Sequence, residues 1–242
     1  MSSRPDSAVL TPLDNRDSQS AKNAAIQVES LSHRYGGRMA LDSISFDVLG
    51  LLLERVTGQM LLDPLGMKHT SFRVAAENAT RIAEAADSDP LKASGVKYYR
   101  IHENPASTSY FKGGGGLVGT MDDYQRFAQM VLNDGELDGR RYLSKKMVEF
   151  MLSDHTVGMG GTTIATTGPG YGYGLGWGVR LQDGFAWVPG SKGDAMWAGA
   201  FGTSFWIDPK EELVGILMSQ GPSTRVHTRM LFKNLVYGAI VK

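Results

Sequence analysis

The chain has 242 residues, which suffices for one hydrophobic core or for one domain with an appendage. Its 25 basic and 25 acidic side chains cancel, which excludes the strong positive field that attracts nucleic acid or anionic membranes. The absence of cysteine excludes disulfides and thiolate metal sites, and no apolar run is long enough to span a bilayer.

The first 24 residues are rich in Ser, Asp, Asn and Arg and contain few large apolar side chains. Such a composition cannot bury enough surface to offset the entropy cost of ordering, so we predict a disordered tail over residues 1–24. The same stretch lacks the apolar core of a signal peptide. The sequence therefore indicates a cytoplasmic protein.

Residues 25–46 have the pattern of a β-hairpin. Apolar and polar residues alternate over residues 26–31 and again, in part, over residues 38–48. The pair Gly36 and Gly37 between the two runs suits a tight turn. We therefore predict two antiparallel strands in this segment.

The predicted hairpin carries a resemblance of its own. Residues 28–37, VESLSHRYGG, followed by Ala40 and Leu41, resemble the opening hairpin of an ABC-transporter ATPase domain. The resemblance implies that Tyr35 would stack on adenine. However, the chain has no Gly-x-x-x-x-Gly-Lys-Ser/Thr loop to hold the phosphates and Mg²⁺. We therefore interpret the hairpin as a structural element rather than as a nucleotide site.

Helical periodicity begins after the hairpin. A stripe of apolar residues predicts a helix from residue 47, ended by Gly58; its members are Val48, Leu49, Leu52, Leu53 and Val56.

Three further helices are predicted from capping residues that precede apolar stripes. The capping residues are Thr120, Ser144 and Ser223. The helix after Thr120 runs to about Asn133, and Asp123 completes a capping box with Thr120.

The core of the fold is predicted from the last third of the chain. Residues 170–179, GYGYGLGWGV, alternate glycine with large apolar residues, which predicts a strand with one bare face that another backbone or a ligand approaches closely. Apolar residues 195–207, a turn at 208–211 and a strand at 213–218 follow. We predict an α+β fold, an antiparallel β-sheet with helices packed on it. We also expect the segment 26–48 to pair with an edge of this sheet, because unpaired edges promote aggregation.

Several motifs resemble the β-lactamase-related serine hydrolases. Residues 197–203, WAGAFGT, with WIDP at 206–209, resemble the last motif of this superfamily, which includes class C β-lactamases, D-alanyl-D-alanine peptidases and family VIII carboxylesterases. Residues 47–59, 64–72 and 112–120 resemble earlier family segments in the same order. The resemblance covers residues 47–242. It implies a penicillin-binding-protein-like fold that hydrolyses small esters or amides without a cofactor or metal.

The resemblance also implies positions for the chemistry. These hydrolases use a serine with a lysine one helical turn later, a tyrosine that relays the proton, and backbone N–H groups that stabilise the oxyanion. By resemblance the oxyanion donor is the N–H of Ala200. The wall of the substrate pocket is then formed by Trp197, Gly199, Ala200 and Phe201.

The nucleophile is the part of the family pattern that this sequence does not reproduce in its usual place. In the family the Ser-x-x-Lys motif precedes the segment that resembles residues 47–59, and the relay tyrosine aligns with Asp42, next to Ser43. The literal match to the motif is Ser94 with Lys97, which are the candidate nucleophile and base. We therefore predict that residues 47–242 form a partial β-lactamase-like domain without the N-terminal catalytic segment, weakly active or inactive.

Two functions follow from these observations. The first is hydrolysis of a small ester or amide substrate. The second is a fusion or decayed product that serves as a non-catalytic binding or structural module. A metal centre is not indicated, because the five histidines stand apart, with no metal-ligand spacing, at positions His33, His69, His102, His155 and His227.

Overall fold

The computed structural model describes residues 24–35, 38–49, 56–94, 115–157 and 164–241. Within these ranges the strands are β1 (Ala24–Tyr35), β2 (Arg38–Leu49), β3 (Glu136–Leu137), β4 (Arg140–Arg141), β5 (Tyr171–Tyr173), β6 (Gly178–Arg180), β7 (Ala195–Ala198), β8 (Ser204–Asp208) and β9 (Leu213–Leu217). The α-helices are α1 (Pro90–Ala93), α2 (Met121–Leu132), α3 (Lys145–Met151), α4 (Ile164–Thr167) and α5 (Arg225–Gly238). A π-helical turn spans Gly58–Leu62, and a 3₁₀ turn spans Ala76–Arg81.

The largest sheet contains five strands in the order β5-β6-β7-β8-β9. Each neighbouring pair is antiparallel, and Trp206 in β8 lies opposite Met196 in β7 and Gly215 in β9. The turn between β8 and β9 follows Asp208, where the sequence predicts it. The predicted α+β fold with a central antiparallel sheet is therefore confirmed.

Helices cover both faces of this sheet. Trp206 and Ile207 are consecutive in β8, so their side chains lie on opposite faces. On one face, residues from the segment after the π-helical turn and from α2 and α3 pack against the sheet, among them Leu65, Met67, Met130, Val131, Val148, Trp177, Val179 and Ile207. On the other face, α5 packs its side chains Phe232, Val236 and Tyr237 against Tyr171, Met196 and Trp206.

The glycine-rich segment 170–179 is a hairpin and not the single strand that we predicted. The backbone N–H of Gly174 donates to the carbonyl of Trp177 over 2.7 Å, so the chain reverses between β5 and β6. Gly176 has a φ of +87°, which favours glycine and permits this reversal. Alternation alone missed the reversal because both arms of a hairpin carry the same period of two.

The bare glycine face of this segment does allow another part of the chain to come close, as predicted. A Cβ atom on Gly172 would overlap the carboxylate of Asp154, and one on Gly174 would overlap the carbonyl of Met151. The segment that follows α3 therefore packs directly against β5.

This contact also occupies an edge of the central sheet. The N–H of His155 donates to the carbonyl of Tyr173 over 2.9 Å, and the N–H of Tyr173 donates to Asp154 Oδ1 over 3.1 Å. These bonds occupy the outer edge of β5. Strands β1 and β2 form a separate two-stranded sheet, so the expectation that they pair with the central sheet is wrong.

Strands β1 and β2 are antiparallel, with Val28 opposite Phe46, which agrees with the predicted hairpin. The turn residues Gly36 and Gly37 and residues 1–23 of the predicted tail lie outside the described residues. Strand β2 continues to Leu49, so the helix predicted from residue 47 is wrong for residues 47–49. The pairing of these residues with β1 outweighs a helical stripe that only local periodicity supports.

The helical turn near Gly58 also departs from the prediction. Helical structure is described from Val56, and it continues through the π-helical turn to Leu62 rather than ending at Gly58. A Cβ atom on Gly58 would have no heavy atom within 4 Å, and its φ is not positive. Nothing in the local backbone therefore makes this glycine end the helix.

Two predicted helix caps are confirmed, but Asp123 does not close the predicted capping box, because its Oδ2 accepts the N–H of His69 over 2.7 Å and the hydroxyl of Thr70 over 2.9 Å. Thr120 accepts a hydrogen bond from the N–H of Asp123 at the start of α2, and Ser144 accepts one from the N–H of Met147 at the start of α3. The final helix begins at Arg225 rather than at Ser223. Ser223 does not cap it, because its hydroxyl donates to the carboxylate of Asp89 over 2.6 Å.

The indole ring of Trp206 leaves no space for a side chain at Gly215. Gly215 lies opposite Trp206, and a Cβ atom on Gly215 would overlap the indole ring, which is only 2 % exposed and has no room to move. We expect Gly215→Ala to lower the free energy of unfolding by about 1–3 kcal/mol through overpacking. Urea denaturation measures this. The matched control is Gly58→Ala, for which we expect unchanged stability or a gain of up to about 1 kcal/mol, because alanine has the higher helix propensity. Equal stability of the two variants would contradict the described packing of Trp206.

Candidate active site

A tight turn joins β7 to β8 at residues 199–202. The carbonyl of Gly199 accepts the N–H of Gly202 over 3.3 Å, and the N–H of Gly199 donates to the carbonyl of Thr203 over 2.9 Å. This bonding makes Ala200 and Phe201 the two central residues of a β-turn. Gly202 has a φ of +125°, which a residue with a Cβ atom rarely adopts, so a glycine is required there.

Two other segments hold this turn in place. The N–H of Gly221 donates to the carbonyl of Phe201 over 2.8 Å, and Arg229 Nη2 on α5 donates to the carbonyl of Gly199. By contrast, the N–H of Ala200 donates to no acceptor among the described residues. The turn therefore has its first and third carbonyls engaged and presents one backbone N–H donor without a protein partner.

Aromatic side chains lie next to the turn. Trp197, near the end of β7, is half-buried, and its ring meets the ring of Tyr173 edge-on at a centroid distance of 5.5 Å. Gly199, Ala200 and Phe201 follow in the turn itself. The four candidate pocket residues are thus one strand end and the turn that continues it.

The candidate nucleophile lies at the end of a short helix. Ser94 directly follows α1, is exposed, and donates its hydroxyl to the carbonyl of Leu91 over 2.8 Å. The carboxyl end of a helix carries partial negative charge, which does not favour an alkoxide. Lys97 lies outside the described residues. No hydrogen bond in the described ranges joins Ser94 to the turn 199–202.

Asp89 connects α1 to the segment that leads into α5. Its Oδ1 accepts the N–H of Leu91 over 2.9 Å and the hydroxyl of Ser223 over 2.6 Å, and its Oδ2 accepts the N–H of Ser223 over 3.1 Å. The hydrogen bond from the Ser223 hydroxyl is the main cause that lowers the pKa of Asp89. Asp89 thus ties the segment that contains Ser94 to Ser223. Ser223 lies two residues after Gly221, which contacts the turn 199–202.

A buried ionic cluster lies on the α5 side of the sheet. Asp194 Oδ2 is 3.0 Å from Arg180 Nε and 3.0 Å from Lys233 Nζ, and the Tyr171 hydroxyl donates to the same oxygen over 3.3 Å. The side chains of Asp194, Arg180 and Lys233 are 0 %, 2 % and 5 % exposed. Burial lowers the pKa of Lys233, and the charge of Asp194 opposes that shift.

Neither a metal centre nor a membrane-spanning helix is present among the described residues. The part of the chain that the structure describes contains no group of three or more His, Asp or Glu side chains able to hold a metal ion. Nor does any helix in those ranges combine the length and apolar composition needed to cross a bilayer.

The order of motifs, the sheet and the turn agree with one known family. The Beta-lactamase family model matches residues 7–236. The chain belongs to the Beta-lactamase family. This membership confirms the resemblance to β-lactamase-related hydrolases. Because the family match starts at residue 7, it includes the predicted tail and hairpin, and the likeness of residues 28–41 to an ABC ATPase hairpin stays a prediction.

Individual relatives within the Beta-lactamase family match over most of this chain. An uncharacterized protein of Mycobacterium tuberculosis is 31 % identical over 216 residues, covering 81 % of this chain and 52 % of the relative. The esterase EstB of Burkholderia gladioli is 26 % identical over 189 residues, covering 69 % of this chain and 45 % of EstB. The chain thus spans about half the length of the curated relatives it matches.

Solved structures show the same Beta-lactamase-like fold. The hydrolase EstCE1, described as having promiscuous acyltransferase activity, has a TM-score of 0.56 and 20 % identity, covering 75 % of this chain and 49 % of EstCE1. Unliganded simvastatin synthase LovD from Aspergillus terreus has a TM-score of 0.56 at 20 % identity, over 77 % of this chain and 50 % of LovD. At this identity the likeness concerns the fold.

Sequence reasoning missed two groups in this Beta-lactamase family chain: Arg229 at the turn, and the cluster of Arg180, Asp194 and Lys233. A signal for Lys233 is present, because it interrupts the apolar stripe of α5. Arg229 precedes Lys233 by four residues and so lies near it on the same side of the helix. A basic residue in the buried stripe of a helix predicts a buried partner, and this pattern could have indicated both residues.

Proposed function

We propose that the chain acts on carboxylic esters and that the N–H of Ala200 is the donor that stabilises the oxyanion. The observation that carries this proposal is the turn 199–202, whose first and third carbonyls are engaged while the N–H of Ala200 has no acceptor among the described residues. The esterase name of one relative supports the choice of esters over amides. The chain spans about half of its relatives' length, so the proposal is made for the site in this chain and not for the whole relatives.

The physical basis is the charge that develops during ester hydrolysis. Attack on an ester carbonyl places negative charge on its oxygen, and a preorganised backbone donor stabilises that charge. The N–H of Ala200 is preorganised because hydrogen bonds hold the turn on both sides. The rings of Trp197 and Tyr173 provide an adjacent apolar surface against which an acyl chain can pack.

The nucleophile in this proposal remains Ser94 with Lys97 as its base. Ser94 is hydrogen-bonded to Leu91 and lies at the carboxyl end of α1, so we propose that it is weakly activated. An oxyanion donor and a binding surface without an efficient nucleophile retain about 10³–10⁴-fold acceleration over water in serine proteases. Weak turnover is therefore the activity that we propose. The same position of Ser94 favours the second candidate, a non-catalytic module.

Hydrolysis and covalent labelling test this proposal together. We expect p-nitrophenyl butyrate to be hydrolysed slowly but above the protein-free blank. We also expect a fluorophosphonate to leave no stoichiometric adduct in the intact mass, because Ser94 is poorly activated. Both assays are run on the wild type, Ser94→Ala and Ser43→Ala.

The outcomes separate the candidate functions. A stoichiometric adduct that is lost only in Ser94→Ala would show an efficient Ser94 nucleophile and overturn the weak activation. An adduct lost only in Ser43→Ala would move the nucleophile to β2. Hydrolysis no faster than the blank, with no adduct on any variant, would overturn ester hydrolysis and leave the non-catalytic module.

A further inference from the structure

Arg229 is a cation for which the described residues contain no counter-ion. Its Nη2 donates to the carbonyl of Gly199, and its Nε is buried without a hydrogen-bond partner among those residues. Burial lowers the pKa of Arg229, and the like charge of Arg225 adds to this shift. The side chain as a whole is only partly buried, but a buried donor without a partner still costs free energy, and no ion pair explains the position of Arg229 beside the turn.

The fully buried basic groups on this side of the sheet, unlike the partly buried Arg229, are compensated. Arg180 and Lys233 share the carboxylate of Asp194, whereas no carboxylate in the described ranges lies within 4 Å of the Arg229 guanidinium. Helix α5 is also docked without Arg229, because Tyr237 donates to Asp208 over 2.6 Å and Lys233 donates to Asp194 over 3.0 Å. The helix is therefore held on the sheet by contacts other than that of Arg229 with Gly199 as well.

The carbonyl that Arg229 binds belongs to the same peptide group as the N–H of Ala200. A trans peptide is planar, and its C=O and N–H bonds point in opposite directions. A donor that fixes the Gly199 oxygen therefore fixes the direction of the Ala200 N–H. A charged donor on the oxygen also polarises the peptide, which makes the N–H a stronger donor.

We propose that Arg229 is a positioning residue: it holds and polarises the Gly199–Ala200 peptide so that the N–H of Ala200 binds an anionic oxygen. This inference rests on the proposed function, because it assigns Arg229 to the same oxyanion site. It goes beyond that function by making an anchor on α5 responsible for the orientation of the donor. The anion can be the oxyanion of the reaction or the carboxylate product of ester hydrolysis.

The test measures anion binding at the peptide itself, so it does not depend on turnover. Butyrate, the product of p-nitrophenyl butyrate hydrolysis, is titrated into isotope-labelled protein while the Ala200 amide and Gly199 carbonyl resonances are followed by NMR. The variants are Arg229→Met, which removes the charge, and Arg229→Lys, which keeps it. The control is Arg225→Met, one turn earlier on α5, where the guanidinium donates to the Pro222 carbonyl.

We expect butyrate to shift the Ala200 amide resonance in the wild type and in Arg225→Met. In Arg229→Met we expect both resonances to move before any butyrate is added, and the affinity for butyrate to fall by about tenfold, since a misplaced donor loses a large part of an oxyanion interaction. Arg229→Lys should recover part of the loss. For p-nitrophenyl butyrate hydrolysis, we expect Arg229→Met to lower kcat and to leave KM little changed.

Each outcome decides the inference separately from the proposed function. Resonances and butyrate affinity that are the same in Arg229→Met as in Arg225→Met would overturn the role of Arg229. A wild type whose Ala200 amide does not respond to butyrate would overturn it as well. A wild type that binds butyrate at the Ala200 N–H, with an affinity that depends on Arg229, but does not hydrolyse the ester would refute the proposed function and support the inference.

Discussion

Replacing Asp194 by Asn is expected to lower the free energy of unfolding by about 3–5 kcal/mol, the range found when one partner of a buried ion pair is removed. The carboxylate is fully buried and is shared by Arg180 and Lys233, whose side chains are almost fully buried as well. Asn keeps the shape of Asp194 but leaves two buried cations without a counter-ion. Urea denaturation near neutral pH measures the loss.

The cluster holds two cations and one anion. This imbalance predicts how the effects of Asp194→Asn and Lys233→Met on the free energy of unfolding depend on each other. In the Asp194→Asn background, Lys233→Met should raise stability, because it removes an uncompensated buried charge and leaves an apolar side chain against Trp206. In the wild-type background the same substitution removes a favourable contact with Asp194. The double-mutant cycle therefore isolates the interaction.

A matched control distinguishes the buried cluster from an effect of charge alone. Asp122 is exposed in the first turn of α2, so we expect Asp122→Asn to change the free energy of unfolding by no more than about 0.5–1 kcal/mol. A loss in Asp194→Asn as small as that in Asp122→Asn would contradict the cluster. So would an additive effect of Lys233→Met in the two backgrounds.

The second large effect is expected at Ala200. Proline at this position removes the N–H but keeps the carbonyl of Gly199, to which Arg229 donates. Ala200 is the first central residue of its turn, where the fixed φ of proline is well tolerated. Removing one oxyanion donor in a serine protease lowers kcat by about 10²–10³-fold, so we expect Ala200→Pro to bring ester hydrolysis close to the blank.

Local signals in the sequence predicted much of the fold. The caps at Thr120 and Ser144 act within one helical turn, so the sequence alone is enough to place α2 and α3. The turn after Asp208 is equally local. The alternation over residues 170–179 predicted β-structure correctly but not its reversal, because the reversal depends on the positive φ of Gly176.

The remaining features depend on contacts between distant residues. Ser223 does not cap the final helix because Asp89, 134 residues earlier, binds it instead. At the candidate site, the motif WAGAFGT located the turn and the residues that we predict to line a pocket. Only the tertiary fold shows that Arg229, 30 residues downstream, holds the turn. Only the fold shows, too, that the N–H of Ala200 has no partner within the described ranges.

The most direct test of the proposed oxyanion site is the ratio of p-nitrophenyl butyrate hydrolysis rates between Ala200→Gly and Ala200→Pro. Glycine lacks the methyl group of Ala200, and proline ties the Cβ atom into its ring. Only proline lacks the backbone N–H. With equal folding established by urea denaturation, we expect Ala200→Gly to stay within about tenfold of the wild type and Ala200→Pro to fall by about 10²-fold or to the blank. Equal rates for the two variants, both above the blank, would contradict the assignment of the Ala200 N–H as the oxyanion donor.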